Sequence, residues 1–167
     1  VPACSYEGDT IASLHMPTLY CFKPLNFKNK KQQQQYNRLV RNVKKTLPIA
    51  KEVNRAIIET YEFLQTLPDE KARQKHLNAV EKSVKEQYTP RMKKLTFSQG
   101  KLLIKLINRE TDSSSYELVK AFLGPFKAGF YQAFAAIFGA SLKKEYHPDA
   151  EDAMVEQIVL LVESGQI

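Results

Sequence analysis

Between 125 and 143 the chain reads PFKAGFYQAFAAIFGASLK, and Lys127 and Gln132 interrupt its largely apolar run before Lys143. A helix that is apolar nearly all round is either buried centrally or lies in lipid. A membrane span needs about 20 mostly apolar residues. This segment is shorter, carries one lysine inside and is closed by Lys143 and Lys144, so a buried core helix is the expectation. Gly129 and Gly139 allow close backbone approach, but their spacing is not that of a GxxxG membrane dimer.

The neighbouring sequence repeats the helical period. Leu102, Leu103, Ile104, Leu106 and Ile107 form one apolar cluster, and Leu118, Val119, Phe122 and Leu123 a second. Apolar positions recur at three and four, not two. Thr96 with Gln99, and Ser114 with Glu117, have the spacing of a capping box, in which each side chain satisfies an orphaned backbone N–H. Pro125 suits the first turn of a helix. Helices are predicted near 97–110, 114–123 and 125–143.

Upstream, Tyr36, Val40, Val43, Leu47, Ala50, Asn54, Ile57, Tyr61 and Leu64 alternate in steps of four and three. That is an a/d seam with one polar position, on a helix expected over 32–66 and kinked at Pro48. The seam is expected to pack on helices of its own chain rather than in an intermolecular coiled coil. A second helix, 69–88, starts at the acidic turn after Pro68 and ends at Thr89-Pro90. A last helix is capped by Asp149, presents Met154, Val155, Ile158, Val159, Leu161 and Val162, and stops at Gly165. Near the N-terminus, DTIASLHMPTLYCF suggests short strands at 10–14 and 18–22, with Pro17 at a turn or edge. The fold expected is all-α: about six helices packed round the central apolar helix, as one domain over 31–167, with an arm over 1–30 that can form a β-hairpin.

A net charge of +7 and a pI near 9.3 permit anionic partners. The basic positions Lys30, Lys31, Arg38, Arg41, Lys44 and Lys45, with Arg91, Lys93 and Lys94, are the candidate partner surface. Nucleic acid is disfavoured, because basic and acidic residues alternate along the helices and no recognition motif appears. The two cysteines, Cys4 and Cys21, leave three states open: a disulfide in an oxidising compartment, two free thiols, or lipidation at Cys4, since Val1-Pro2-Ala3-Cys4 loosely resembles the end of a lipoprotein signal. The chain starts at Val1, which suggests removal of a preceding segment.

Chemistry is sparsely signalled. His15, His76 and His147 have no metal-ligand spacing, and His147 with Asp149 and Glu151 reads better as a helix start. Ser113, Ser114 and Ser115 lack a nucleophile elbow, and there is no glycine-rich phosphate loop. No metal, cofactor or catalytic residue is assigned. The most suggestive polar group is Asn108 to Asp112 with Tyr116. There Arg109 and Glu110 either hold a corner or, with Tyr116, recognise a ligand carboxylate or phosphate.

The stretches GDTI (8–11), YNRLVRNVKKTLPIAK (36–51), IETYEFLQTLPDEKARQKHL (58–77), YTPRMKKLTFSQGKLLIKLI (88–107) and SYELVKAFLGPFKAGFYQAFAAIFGASLKKEY (115–146) resemble an uncharacterised family of secreted or periplasmic proteins from Bacteroidetes-type bacteria, a domain of unknown function. The resemblance implies an exported, cell-envelope location and brings no activity, substrate or catalytic residue. The functional expectation is a non-enzymatic envelope protein that binds a partner protein or an anionic envelope component, without a transmembrane helix but with peripheral membrane association open. The alternative is a ligand-binding or hydrolytic enzyme with a polar site at Arg109, Glu110 and Tyr116.

Overall fold

The computed structural model describes residues 2–14, 16, 18–112 and 146–167. The expected helices at 114–123 and 125–143, the Ser114–Glu117 capping box and Tyr116 lie outside the described residues. What is described is mainly helical, with a two-stranded N-terminal hairpin. The order is β1 (Ala3–Tyr6), β2 (Asp9–Ala12), α1 (Lys30–Thr66), α2 (Glu70–Met92), α3 (Phe97–Asp112) and α4 (Ala153–Glu163). The described residues thus hold four helices, against about six expected for the whole chain.

The scaffold is α1, whose 37 residues span about 55 Å at 1.5 Å rise per residue. Its N-cap is Asn29, whose side chain accepts from the Gln32 N–H at 2.9 Å. The seam is buried where expected, at Val43, Leu47, Ala50, Ile57 and Leu64. Thr46 and Val53 are buried beside it, so the inward stripe is wider than a coiled-coil seam. Both α3 and α4 pack along α1. The seam therefore meets its own chain: Val43, Val53, Leu103, Leu106, Ile158 and Val159 all join one core. Helix α1 continues through Pro48, whose ring nitrogen has no hydrogen to donate to the Lys44 carbonyl.

Three boundaries differ from expectation, each for a local reason. Helix α2 runs through Pro90 to Met92 rather than stopping at Thr89. A proline inside a helix loses one backbone hydrogen bond, but Tyr88 and Met92 bury fully on either side of it, and Arg91 pairs with Glu52 of α1 at 2.7 Å. The last helix is entered at Asp152, not Asp149. Asp152 makes no side-chain cap; its carboxylate turns instead to Lys105 and to the His147 N–H. The hairpin is not at 10–14 and 18–22. It pairs Ala3 with Ala12 through Tyr6 with Asp9, and it turns at Glu7-Gly8, both at positive φ (50° and 89°). Positive φ at both central residues is the tight turn that suits strand twist, and glycine adopts it without strain.

Two sequence signals are matched in detail. The Thr96 N–H donates to Gln99 Oε1 and the Gln99 N–H to Thr96 Oγ1, the reciprocal pair of a capping box. At the end of α4, Gly165 (φ 71°) sends its N–H to Val162 O and Gln166 sends its own to Leu161 O, a Schellman closure. Gln166 then clasps the arm: its side chain accepts from Tyr20 N–H at 2.9 Å and donates to Tyr20 O at 3.0 Å.

Candidate functional site

Charge along α1 is segregated, which corrects the expectation that basic and acidic residues alternate along the helices. From residue 10 to residue 51 there are nine lysines and arginines and no Asp or Glu; beyond that, the helix carries Glu52, Glu59 and Glu62 with Arg55. The first turn has no acidic residue, so nothing offsets the positive end of the helix dipole except the neutral cap Asn29. A second acid-free run spans 87–109 and holds Arg91, Lys93, Lys94, Lys101, Lys105 and Arg109.

The fold joins the two runs. Lys45 Nζ donates to Lys94 O at 3.4 Å and to Gln99 Oε1 at 3.2 Å, and Gln99 Nε2 donates to Asn42 Oδ1 at 3.1 Å. The α2–α3 corner is thereby fixed against the basic half of α1. Lys30, Lys31, Arg38, Arg41, Lys44, Lys45, Lys93 and Lys94 are all exposed, and none forms an ion pair with a described residue. Lys101 lies 4.4 Å over the exposed Phe97 ring. Arg91 differs from its neighbours: the Glu52 carboxylate occupies it, which holds that carboxyl below its ordinary range chiefly through the Arg91 hydrogen bond. An open groove of about 350 Å³ lies where Leu25 and Phe27 of the arm meet Tyr36, Leu39 and Met154.

The Arg109 corner is built in the opposite way. Arg109 Nε and Nη2 grip both oxygens of Glu156 at 2.7 and 2.8 Å, Nη1 bonds Glu110 at 2.7 Å, and Nη2 also reaches Glu163 at 3.3 Å. Tyr146 donates its hydroxyl to Glu156 Oε2 at 2.7 Å, and Lys51 bridges to Glu163 at 2.6 Å. One helical turn away, Lys105 bonds Asp152 at 2.7 and 2.9 Å and Glu151 at 2.9 Å. Only 14% of the Arg109 side chain is exposed. Burial opposes its charge, but the Glu156 hydrogen bonds and the three carboxylates outweigh this, and its pKa rises further above its already high value. For Glu156, burial pushes the carboxyl up, while the Arg109 and Tyr146 hydrogen bonds more than offset it, so the net shift is downward. Burial first, then the Glu156 hydrogen bond, drives the Tyr146 phenol well above its usual range.

The structure thus places Arg109 and Glu110 together, and Tyr116 lies outside the described residues. Asn108 is buried beside them, with its carbonyl accepting from Thr111 Oγ1. Sequence reasoning missed Lys105, Tyr146, Asp152, Glu156 and Glu163 as partners of this corner. The signal was present: basic residues four apart on α3 face acidic residues four apart on α4, which gives two matched rungs on adjacent helices. Cys4 and Cys21 are both exposed, and no disulfide joins them in this structure. His147 and Asp149 are exposed, and Glu151 is engaged by Lys105. Among the described residues no group of three or more His, Cys, Asp or Glu could hold a metal ion, and no helix is long and apolar enough to cross a membrane.

These features define a helical protein with a polarised basic flank and an N-terminal hairpin arm. The chain belongs to the family described as domain of unknown function DUF4294, whose model matches residues 9–161. Neither the curated proteins nor the solved structures contain a match to it.

Proposed function

We propose that this chain is a non-enzymatic binding protein of the cell envelope, and that the basic half of α1 with the α2–α3 corner captures an anionic partner, either an acidic protein or an anionic envelope component. The observation that carries this reading is the joining of two acid-free runs into one exposed flank by the Lys45–Lys94 contact. Clustered charge of one sign raises the local concentration of an oppositely charged partner and speeds encounter. Helix α1 supports the reading because this charge adds to the dipole at its N-terminal end instead of offsetting it. Natural helices tolerate that arrangement at a small cost in stability, which suggests a role other than folding.

Arg109 and Glu110 offer less to a ligand. A carboxylate or phosphate arriving there has to displace Glu156, which already holds the guanidinium through two bonds. The test is titration with a sulfated polysaccharide at rising salt. Binding that weakens steeply with salt, and is lost in an Arg38→Glu, Arg41→Glu, Lys44→Glu variant, is the expected result. Salt-insensitive binding, or none, would overturn it.

A further inference from the structure

The arm carries apolar side chains that the body of the protein leaves in water. Leu14 is 77% exposed, Met16 72% and Leu19 67%. Singly exposed apolar residues are ordinary, but a cluster within six positions is not. This segment is also held at both ends. Ser13 donates its N–H to Pro2 O at the base of the hairpin, and Tyr20 is clasped by Gln166. Further along, Phe27 packs against Tyr36 of α1 with ring centroids 5.5 Å apart. The apolar residues therefore form a tethered tip, and the exposed cations Lys23, Lys28, Lys30 and Lys31 follow it directly, with no acidic residue from 10 to 51.

Resting on the anionic-partner reading above, we infer that this tip is a membrane-contact element: Leu14, Met16 and Leu19 enter the interfacial layer of an anionic bilayer while Lys23, Lys28, Lys30 and Lys31 meet its headgroup phosphates. The chemistry favours lipid over a protein partner. Apolar side chains followed by lysines match a negatively charged headgroup layer above acyl chains, whereas lysine is depleted where proteins meet proteins. Neither element is sufficient alone, since stable attachment takes an apolar and an electrostatic contribution together. The apolar side chains lie on a loop and not on a helix face, so the insertion is shallow.

Co-sedimentation of the full chain with vesicles of phosphatidylcholine, with and without phosphatidylglycerol, tests this. The chain is expected to pellet only with the anionic vesicles. The triple variant Leu14→Asn, Met16→Ser, Leu19→Asn should bind them at least about tenfold more weakly while still binding the sulfated polysaccharide. Because the chain has no tryptophan, Leu19→Trp adds a single indole whose emission should shift to the blue on adding anionic vesicles. An unshifted indole, or a triple variant that sediments like the parent, overturns the membrane tip and leaves the basic flank standing. Polysaccharide binding without vesicle binding also overturns it and points to a soluble polyanion. Failure to bind either probe removes both readings.

Discussion

The N-terminal half of α1 and the Arg109 corner use their cations oppositely. At the corner every rung is answered: Arg109 by Glu156, Glu110 and Glu163, and Lys105 by Asp152 and Glu151. On the basic half of α1 the lysines and arginines face water with no acidic neighbour in their own run. Buried charge needs partners, because an ion removed from water without one costs several kcal/mol. Exposed charge needs none and is screened by salt. The comparison teaches that net charge alone does not locate a binding surface; the balance of each cation against its own neighbours does.

Removing the corner's central cation should do the most damage. Arg109→Ala leaves Glu110, Glu156 and Glu163 facing one another with little solvent, and is expected to cost about 3 kcal/mol of unfolding free energy in urea. A loss below about 1 kcal/mol would put the corner in the same class as a surface ion pair and dissolve the contrast.

The pH dependence of Glu156 sharpens it. Its folded pKa is depressed, so its contribution is complete above the unfolded value of about 4.3 and is lost as pH falls through the lower folded value. The parent should therefore be more stable than Glu156→Gln at neutral pH, and the gap should close on acidification below about pH 4. Parallel stability curves down to pH 3 would show that the Arg109 bonds do not favour the ionised form.

On the other side of the comparison, the variant Arg38→Glu, Arg41→Glu, Lys44→Glu should change unfolding free energy by less than about 1 kcal/mol, because all three side chains are exposed and contribute no ion pair to the described fold. A destabilisation matching that of Arg109→Ala would mean that these charges are structural after all. The smallest global effect belongs to the arm. Gly8→Val forces a β-branched residue to φ near 89° and should open the hairpin while leaving the thermal midpoint of the helices unchanged. Faster hydrogen exchange at Cys4 and Ile11 alone, the pair whose amides face each other across the two strands, is the signature, and a shifted global midpoint would tie the hairpin to the core.

Much of the helical order was legible because it depends on local rules. The Thr96–Gln99 box, the Gly165 stop and the steps of four and three along α1 each follow from neighbours a few residues apart. The misplaced boundaries arose where distant side chains outweighed the local signal. Pro90 is carried inside α2 by the burial of Tyr88 and Met92 against other helices. Asp152 starts α4 while its carboxylate serves Lys105, 47 residues away. The hairpin lies upstream of the β-branched and aromatic residues around Pro17, because Glu7-Gly8 supplies the tight turn that joins its strands. At the site, Arg109 and Glu110 stood out by composition, whereas Glu156 and Tyr146 become visible only when α3 and α4 are set side by side. The union of Lys45 with Lys94 likewise rests on tertiary packing.

The most direct test of the charge contrast is an amine-labelling footprint read by mass spectrometry, with and without a bound sulfated polysaccharide. Lys30, Lys31, Lys44, Lys45, Lys93 and Lys94 should lose reactivity on binding, Lys105 should react slowly in both states, and the exposed Lys71 and Lys82 of α2 should not change. Equal protection of every exposed lysine, or protection confined to α2, would contradict the assignment of a single basic flank.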